Sequence, residues 1–323
     1  MNHKETDFFE IVIVGAGAAG IAAAREAHEA GCRRILLLDS GAKMGGVLLR
    51  CTHRGFGPQL TGPEYVERLI CGFPENVQVW LNTTVLSVKN RYLILSGRET
   101  GVRKVYFDQM ILSAGCLEIP LGFLPVAGTR PEGIYTAGQV QEMVNVYGEL
   151  PEEPAVILGS GDLGLILAEQ LSARGIRIAA MVEQKSACGG MAKNQERIRN
   201  CPIPLLCSSA ITEVSGDRRL REVKIRNLLT GEESSISCRS LLIAAGLKPD
   251  RSLLQGILPE YIQGTDQRKN GYREEQAPTE TELPDWIHLC GNCHRVHPMI
   301  EMVIKEGKQA GIRAFEKIRG YYA

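Results

Sequence analysis

Apolar residues along the chain fall into short unbroken runs separated by glycine-rich or polar stretches. That pattern predicts buried parallel strands alternating with helices. The first run, Ile11–Val14, is β-branched and free of proline, and it leads into Gly15, Gly17 and Gly20. An Ala-rich stretch of high helix propensity follows, and a second apolar run, Arg34–Leu38, ends at Asp39. Each glycine has a separate reason to be there: Gly15 for a tight turn, Gly17 for the approach of a pyrophosphate, Gly20 for close packing of helix on strand. The helix start offers free N–H groups and a positive dipole to the phosphates. Asp39 lies a little beyond the spacing of roughly 20 residues expected of an acid that grips a ribose hydroxyl.

The pattern recurs. Ala155–Leu158 leads to Gly159, Gly161 and Gly164, and Ile176–Val182 leads to Glu183. Gly15 on Gly159, Gly31 on Gly175, Asp39 on Glu183 and Gly45-Gly46 on Gly189-Gly190 share one offset of 144 positions. This is an internal repeat of a whole nucleotide-binding unit, so two dinucleotide sites are expected.

Between the repeats, Ser40–Pro58 is a long glycine-rich loop, a length that is usually functional. Thr61-Gly-Pro-Glu64 carries a capping signature and opens a helix through about Cys71. Val77–Asp108 is expected to form a small β-meander, followed by a buried strand from Met110 that ends at Ala114 and Gly115. A Pro-rich stretch, Ile119–Pro131, and a helix around Gly138–Val146 lead to the second unit. There Pro204–Ser240 repeats the meander, and Leu241–Gly246 repeats the strand. Pro249–Pro284 is polar. Trp286–Asn292 is a last short strand, and Met299–Arg319 an amphipathic helix. The last strand is surplus to the second unit and is expected to return to the first. The predicted architecture is α/β: two Rossmann-like units of parallel sheet plus meander, the second inserted in the first. The expected boundaries are 1–120 plus 250–323 for one domain and 121–249 for the other.

The 37 acidic and 37 basic side chains balance, which leaves no electrostatic footprint for nucleic acid or an anionic membrane. The most apolar stretch, Ile11–Ala24, is too short and too glycine-broken to span a bilayer. Met1–Phe9 lacks a basic and apolar leader pattern, and the ten cysteines scatter as reduced thiols would. A cytoplasmic location is therefore expected.

The motifs Gly45-Gly46, Cys51-x-His53-x-Gly-Phe-Gly57, Leu60-Thr-Gly-Pro-Glu64-Tyr65, Gly128-Thr-Arg-Pro-x-Gly133, Gly159-Ser-Gly-Asp-Leu-Gly164 and Cys290-Gly-Asn292-x-x-x-Val-His297 complete the picture. With them, the whole chain resembles the flavoproteins with two dinucleotide-binding domains, the group that includes thioredoxin reductase. More narrowly, it is similar to small bacterial flavin subunits of the glycerol-3-phosphate dehydrogenase-type, opine oxidase and hydrogen cyanide synthase systems. The resemblance implies FAD in the first fold, held by Gly15, Gly17, Ala18, Ala19, Gly20, Asp39, Ser40, Gly45, Gly46, Val85, Ala114, Gly115, Gly291, Asn292 and Met299. It implies NAD(P)H in the second, held by Gly159, Gly161, Asp162, Leu163, Gly164, Glu183 and Gly246. It further implies an oxidoreductase that moves a hydride between NAD(P)H and FAD and exchanges electrons with a second flavoprotein subunit or a small acceptor. Two alternatives stay open: a dehydrogenase or oxidase subunit whose second site is structural, and a non-catalytic nucleotide-binding scaffold. A homo-oligomer also stays open.

Departures from the group sharpen this reading. Where thioredoxin reductase carries a Cys-x-x-Cys in its second domain, the segment after Gly164 has no cysteine until Cys188; only Cys51 stands near the Gly-Gly pair, and the disulfide-reductase dimerisation domain is not expected, so disulfide reduction is disfavoured. Asn292 stands where most of the group has Asp. Glu183 would repel a 2′-phosphate and favour NADH, although Lys185 weakens that choice. His53 and Cys51 are the candidate acid, base or redox pair. Cys290-Gly-Asn-Cys293-His294 also spells a haem-attachment or, with His297, a metal-ligand pattern. A strand-end role beside the flavin is preferred there, and no metal is expected. His28 is read as a surface residue and His288 as a core one.

Overall fold

The computed structural model describes residues 7–98, 101–199, 201–255, 257, 268–269, 272–273 and 283–322. The first six residues and most of the polar stretch between Gln255 and Pro284 lie outside them. The chain forms two compact units, residues 1–116 with 249–323, and residues 117–248.

The first unit starts with β1 (Phe8–Val14), α1 (Ala18–Ala30) and β2 (Ile35–Leu38). Ile11, Val12 and Ile13 have no exposed surface, because β1 is central and covered on both faces. Helix α1 ends at Gly31, whose φ of 117° supplies the left-handed cap. In α2 (Gly62–Ile70) the capping box forms as the sequence requires, with Thr61 N donating to Glu64 Oε2 at 2.7 Å. Strands β3 (Gln78–Trp80), β4 (Thr83–Lys89), β5 (Tyr92–Gly97) and β6 (Gly101–Leu112) complete a sheet of order β3-β2-β1-β6-β5-β4.

The meander expected over Val77–Asp108 and the strand expected from Met110 are not separate. Strand β6 runs through both: it pairs antiparallel with β5 over its first half and parallel with β1 over its second. Its burial changes from alternating to continuous at Gln109, three residues past the change of partner at Tyr106, as it enters the two-sided core.

The second unit opens with β7 (Cys116–Glu118), β8 (Ala127–Gly128), β9 (Ile134–Thr136) and α3 (Ala137–Glu142), which continues into one π turn over Met143–Tyr147. The helix expected around Gly138–Val146 is thus present, with its second half wound as a π turn. Then come β10 (Ala155–Leu158), α4 (Asp162–Ser172), β11 (Ile178–Val182), α5 (Ala192–Ile198) and β12 (Leu205–Leu206). Strands β13 (Ser209–Gly216), β14 (Leu220–Asn227), β15 (Glu233–Ser237), β16 (Ser240–Ile243) and β17 (Leu247–Pro249) follow. A parallel sheet of order β12-β11-β10-β16-β9 accompanies the meander sheet β15-β14-β13-β8.

After a two-stranded hairpin, β18 (Arg268–Lys269) and β19 (Tyr272–Arg273), strand β20 (Ile287–Leu289) pairs parallel with β6. The last strand therefore returns to the first unit. Helix α6 (Ile300–Tyr322) closes that unit against α1. Gly307 and Gly311 make this contact close, since side chains on them would strike the Ala19 and Ala23 carbonyls. Among the described residues no helix is long and apolar enough to cross a membrane.

Candidate functional site: two nucleotide cradles and a clamped turn

The carboxyl ends of β1, β2, β6 and β20 share one edge of the first sheet, where ligands bind in open α/β folds. Gly15 turns there with φ of 108°, and a side chain on it would strike the Ser113 carbonyl. A side chain on Gly20 would run into the Gly15 carbonyl, which explains the close seat of α1 on β1. Gly17 is different: a Cβ on it meets nothing within 4 Å, leaving open the face that a pyrophosphate would approach. The second unit reproduces all three roles. Gly159 turns at φ of 100°, a side chain on Gly164 would strike the Gly159 carbonyl, and Gly161 is open within 4 Å. Both cradles therefore fit a dinucleotide.

Further residues converge on the first cradle. Gly45 N donates to Ala16 O at 2.8 Å, and a Cβ on Gly46 would lie 3.2 Å from Gly17 Cα. Asp39 Oδ2 accepts from Ala16 N at 2.6 Å and Oδ1 from Gly41 N at 2.7 Å, bracing the turn from the end of β2. Ala18 and Ala19 are buried at the start of α1, while Ala114, Ser40 and Met299 are exposed and Gly115 is half-buried at the end of β6. Val85 lies elsewhere on the unit, on β4, half-buried against the apolar core of the meander.

In the second cradle, Glu183 is 9% exposed and its carboxylate is engaged by Ser160 N at 2.9 Å, Ser160 Oγ at 2.6 Å and Lys185 N at 3.0 Å. Burial pushes this carboxyl up, but the hydrogen bonds outweigh it and hold it below the usual range, so Glu183 is ionised. Asp162 Oδ1 accepts from Met191 N and Asn194 Nδ2, both at 2.7 Å, so it ties α5 to the start of α4. Leu163 is half-buried, and Gly246 is exposed beyond β16.

The segment after β20 forms a tight turn, Cys290–His294, on the first unit's cradle. Gly291 adopts φ of 68°, and a Cβ there would lie 2.8 Å from Ala19 Cβ. The Asn292 amide works within the turn: Oδ1 accepts from His297 N at 3.0 Å and Nδ2 points to Cys116 Sγ at 3.7 Å. The thiol is a weak acceptor. Cys293 Sγ donates to Leu112 O at 2.9 Å. Cys290 and Cys293 have no exposed surface, and burial pushes both thiols up, Cys293 to about 11. Among the described residues no group of three or more His, Cys, Asp or Glu is placed to hold a metal ion.

The candidate pair on the loop is separated by environment. His53 packs against Phe56 with ring centres 5.1 Å apart and Phe56 against Tyr65 at 6.3 Å, both pairs tilted, which links the loop to α2 through aromatic contacts. Cys51 is buried, its Sγ donates to Val47 O at 3.3 Å, and burial pushes the thiol up to about 11. A thiol so protonated is a poor nucleophile at neutral pH, which argues against Cys51 as a catalytic group.

A family model for pyridine nucleotide-disulphide oxidoreductases matches residues 9–310. The chain belongs to that family. Its members bind FAD and NAD(P) and carry out redox chemistry. Among curated relatives, the HcnB component of hydrogen cyanide synthase from Pseudomonas protegens is 35% identical over 59% of this chain and 41% of that protein. An opine oxidase component from Rhizobium meliloti is 27% identical over 81% of this chain and 54% of its own length. The chain thus spans about half the length of these relatives. The fold is that of thioredoxin reductase from T. acidophilum, with TM-score 0.74 at 21% identity over 97% of this chain and 99% of that one.

Within this family member, two residues at the turn escape sequence reasoning. Arg251, 5% exposed, donates from Nε to Cys293 O at 2.9 Å and from a terminal nitrogen to His294 O at 2.6 Å. Glu306 on α6 accepts from Gly291 N at 2.9 Å and His294 Nδ1 at 3.2 Å, with His297 Nε2 also 2.9 Å away. Burial pushes Glu306 up, and the histidine hydrogen bonds and charges override it to hold the carboxyl below its usual range. One charged residue in a polar stretch and one on an amphipathic helix look solvated in the sequence.

Proposed function

We propose that the first cradle holds FAD, the second holds NADH, and the chain passes a hydride from one to the other. The observation that carries this reading is the repeated assignment of the three glycines, with Gly17 and Gly161 alone among them open to an approaching phosphate. The bound flavin would supply the redox chemistry. The chain's own residues would bind and orient: Gly15, Gly17, Gly20 and Asp39 at the pyrophosphate and ribose, and the Gly45-Gly46 loop and the Gly291 turn beside the flavin. In the second cradle Gly159, Gly161, Gly164 and Glu183 would hold the nicotinamide nucleotide. His53 is the one loop candidate for proton handling.

Disulfide reduction is not part of this proposal, because Cys51, Cys290 and Cys293 are buried, protonated thiols. Electrons would leave to a second flavoprotein subunit. That reading draws on relatives named as subunits of hydrogen cyanide synthase, opine oxidase and sarcosine oxidase. The test is to assay the chain alone and with proteins co-purified from its native cell. NADH-dependent dye reduction is expected from the chain alone, with efficient turnover of an organic substrate only in the complex. Turnover by the isolated chain at ordinary enzyme rates of roughly 1–10³ per second would contradict the subunit reading.

A further inference from the structure

Glycine at 291 is required twice, by its φ of 68° and by Ala19 Cβ 2.8 Å from where a side chain would begin. Ala19 lies in the first turn of α1, whose N–H groups face the open side of Gly17. The position of the Cys290–His294 turn therefore decides how much room remains at the mouth of the first cradle. Backbone pairing to the sheet holds its start, through Cys290 N to Leu112 O at 3.1 Å, and His294 N and Arg295 N close the turn on Gly291 O at 2.9 and 3.2 Å.

Beyond the Cys293 thiol on Leu112 O, two charged side chains hold the rest. Arg251 takes the carbonyls of Cys293 and His294, while Glu306 takes the amide of Gly291 and the ring of His294. An arginine can donate to two carbonyls at once and a carboxylate can accept on both oxygens, so each residue serves groups of the matching polarity. His297 adds a second link, since its ring is 2.9 Å from Glu306 and its amide donates to Asn292 Oδ1 at 3.0 Å. The side chain of Glu306 is 15% exposed and that of His297 2%, so water competes poorly for these bonds.

We propose that Glu306 and Arg251 are positioning residues for the flavin: together they clamp the Cys290–His294 turn in the conformation that receives it. Neither needs to touch the flavin. Removing Glu306 leaves the Gly291 amide and the two histidines to find other partners, and the turn relaxes away from the cradle. The proposal rests on FAD occupying the first cradle.

The experiment compares wild type, Glu306→Ala, Glu306→Gln and Arg251→Lys. It measures the FAD dissociation constant by flavin fluorescence, the visible circular dichroism of bound FAD, and thermal unfolding without FAD. Glu306→Ala is expected to bind FAD roughly tenfold more weakly, the cost of one unmatched buried donor, and to change the dichroism of the remaining bound flavin. Glu306→Gln should largely rescue both, because its carbonyl still accepts from Gly291 while a histidine tautomer can accept from its amide. If Glu306→Ala does not fold, Arg251→Lys decides, with one amine where two carbonyls were served and an expected loss of roughly threefold to tenfold. An altered melting temperature with unchanged FAD affinity and dichroism overturns the clamp and leaves a structural role. A wild-type chain that takes up no FAD overturns the functional reading on which the clamp rests.

Discussion

Asp39 and Glu183, 144 positions apart, each accept a hydrogen bond from the amide that follows the first glycine of their unit, Ala16 N at 2.6 Å and Ser160 N at 2.9 Å. Glu183 also holds the Ser160 hydroxyl at 2.6 Å, so its negative charge is fixed in place. A fixed anion at the end of β11 accepts from a ribose diol and repels a 2′-phosphate. NADH is therefore expected to reduce the flavin at least tenfold faster than NADPH at equal, subsaturating concentration. Glu183→Arg should narrow or invert that ratio by replacing a repulsion with a phosphate partner. A strong wild-type preference for NADPH would show that Glu183 does not set the choice.

The glycines separate binding from folding. Gly17→Val and Gly161→Val place side chains in open space at ordinary negative φ, so both variants should fold. Gly17→Val should lose FAD, whereas Gly161→Val should keep FAD and lose reduction by NADH. Gly20→Val drives a side chain into the Gly15 carbonyl and should cost several kcal/mol, on the order of 3 or more. Flavin content and thermal melting of the three purified variants distinguish these outcomes.

The cradles were legible in the sequence because the turns at Gly15 and Gly159 and the close seats of Gly20 and Gly164 admit only glycine, and the repeat doubled the signal. The return of β20 was legible because an extra strand had no room in the second unit. The continuity of β6 was hidden, since a strand that changes partners halfway has no boundary in its residues. The roles of Arg251 and Glu306 were hidden too, because burial of a charged side chain is decided by tertiary partners rather than by pattern. Cys51 looked reactive from its neighbours Gly45-Gly46 and His53, while its protonated state follows from burial in the folded loop.

Thiol chemistry offers a direct check. Cys71 is exposed, whereas Cys290 and Cys293 have no exposed surface and raised thiol pKa values. Mass spectrometry after brief alkylation at pH 8 should find Cys71 modified and Cys290 and Cys293 untouched until the chain is unfolded. Replacing both buried cysteines with Ser should leave reduction of bound FAD by NADH within about threefold of wild type, since no electron is routed through them. Rapid native alkylation of Cys290 or Cys293, or loss of reduction in a folded and FAD-loaded double variant, would restore a redox role.

His288 makes the first unit sensitive to acid. Its ring Nε2 lies 2.9 Å from Oε1 of the buried Gln109, and burial, with Arg313 and Lys317 nearby, lowers its pKa to about 4. The unfolded chain protonates this ring below roughly pH 6.5 while the folded one resists until about 4, so stability falls as pH drops through that window. The loss is on the order of 2–3 kcal/mol. Both tryptophans, Trp80 and Trp286, lie in the first unit, so their fluorescence reports its unfolding. His288→Asn should be less stable than wild type at pH 7, and the gap should shrink toward pH 4.5. A gap that does not change with pH would contradict this.

The proposed function turns on hydride transfer from NADH to FAD within this one chain, which anaerobic stopped-flow mixing of the FAD-loaded protein with NADH reads as it happens. Bleaching of the oxidised flavin's visible absorption is expected, saturating with NADH concentration and lost in Gly161→Val. A flavin that stays oxidised at saturating NADH and NADPH, in protein that demonstrably binds FAD, would contradict it and leave the second cradle a structural site.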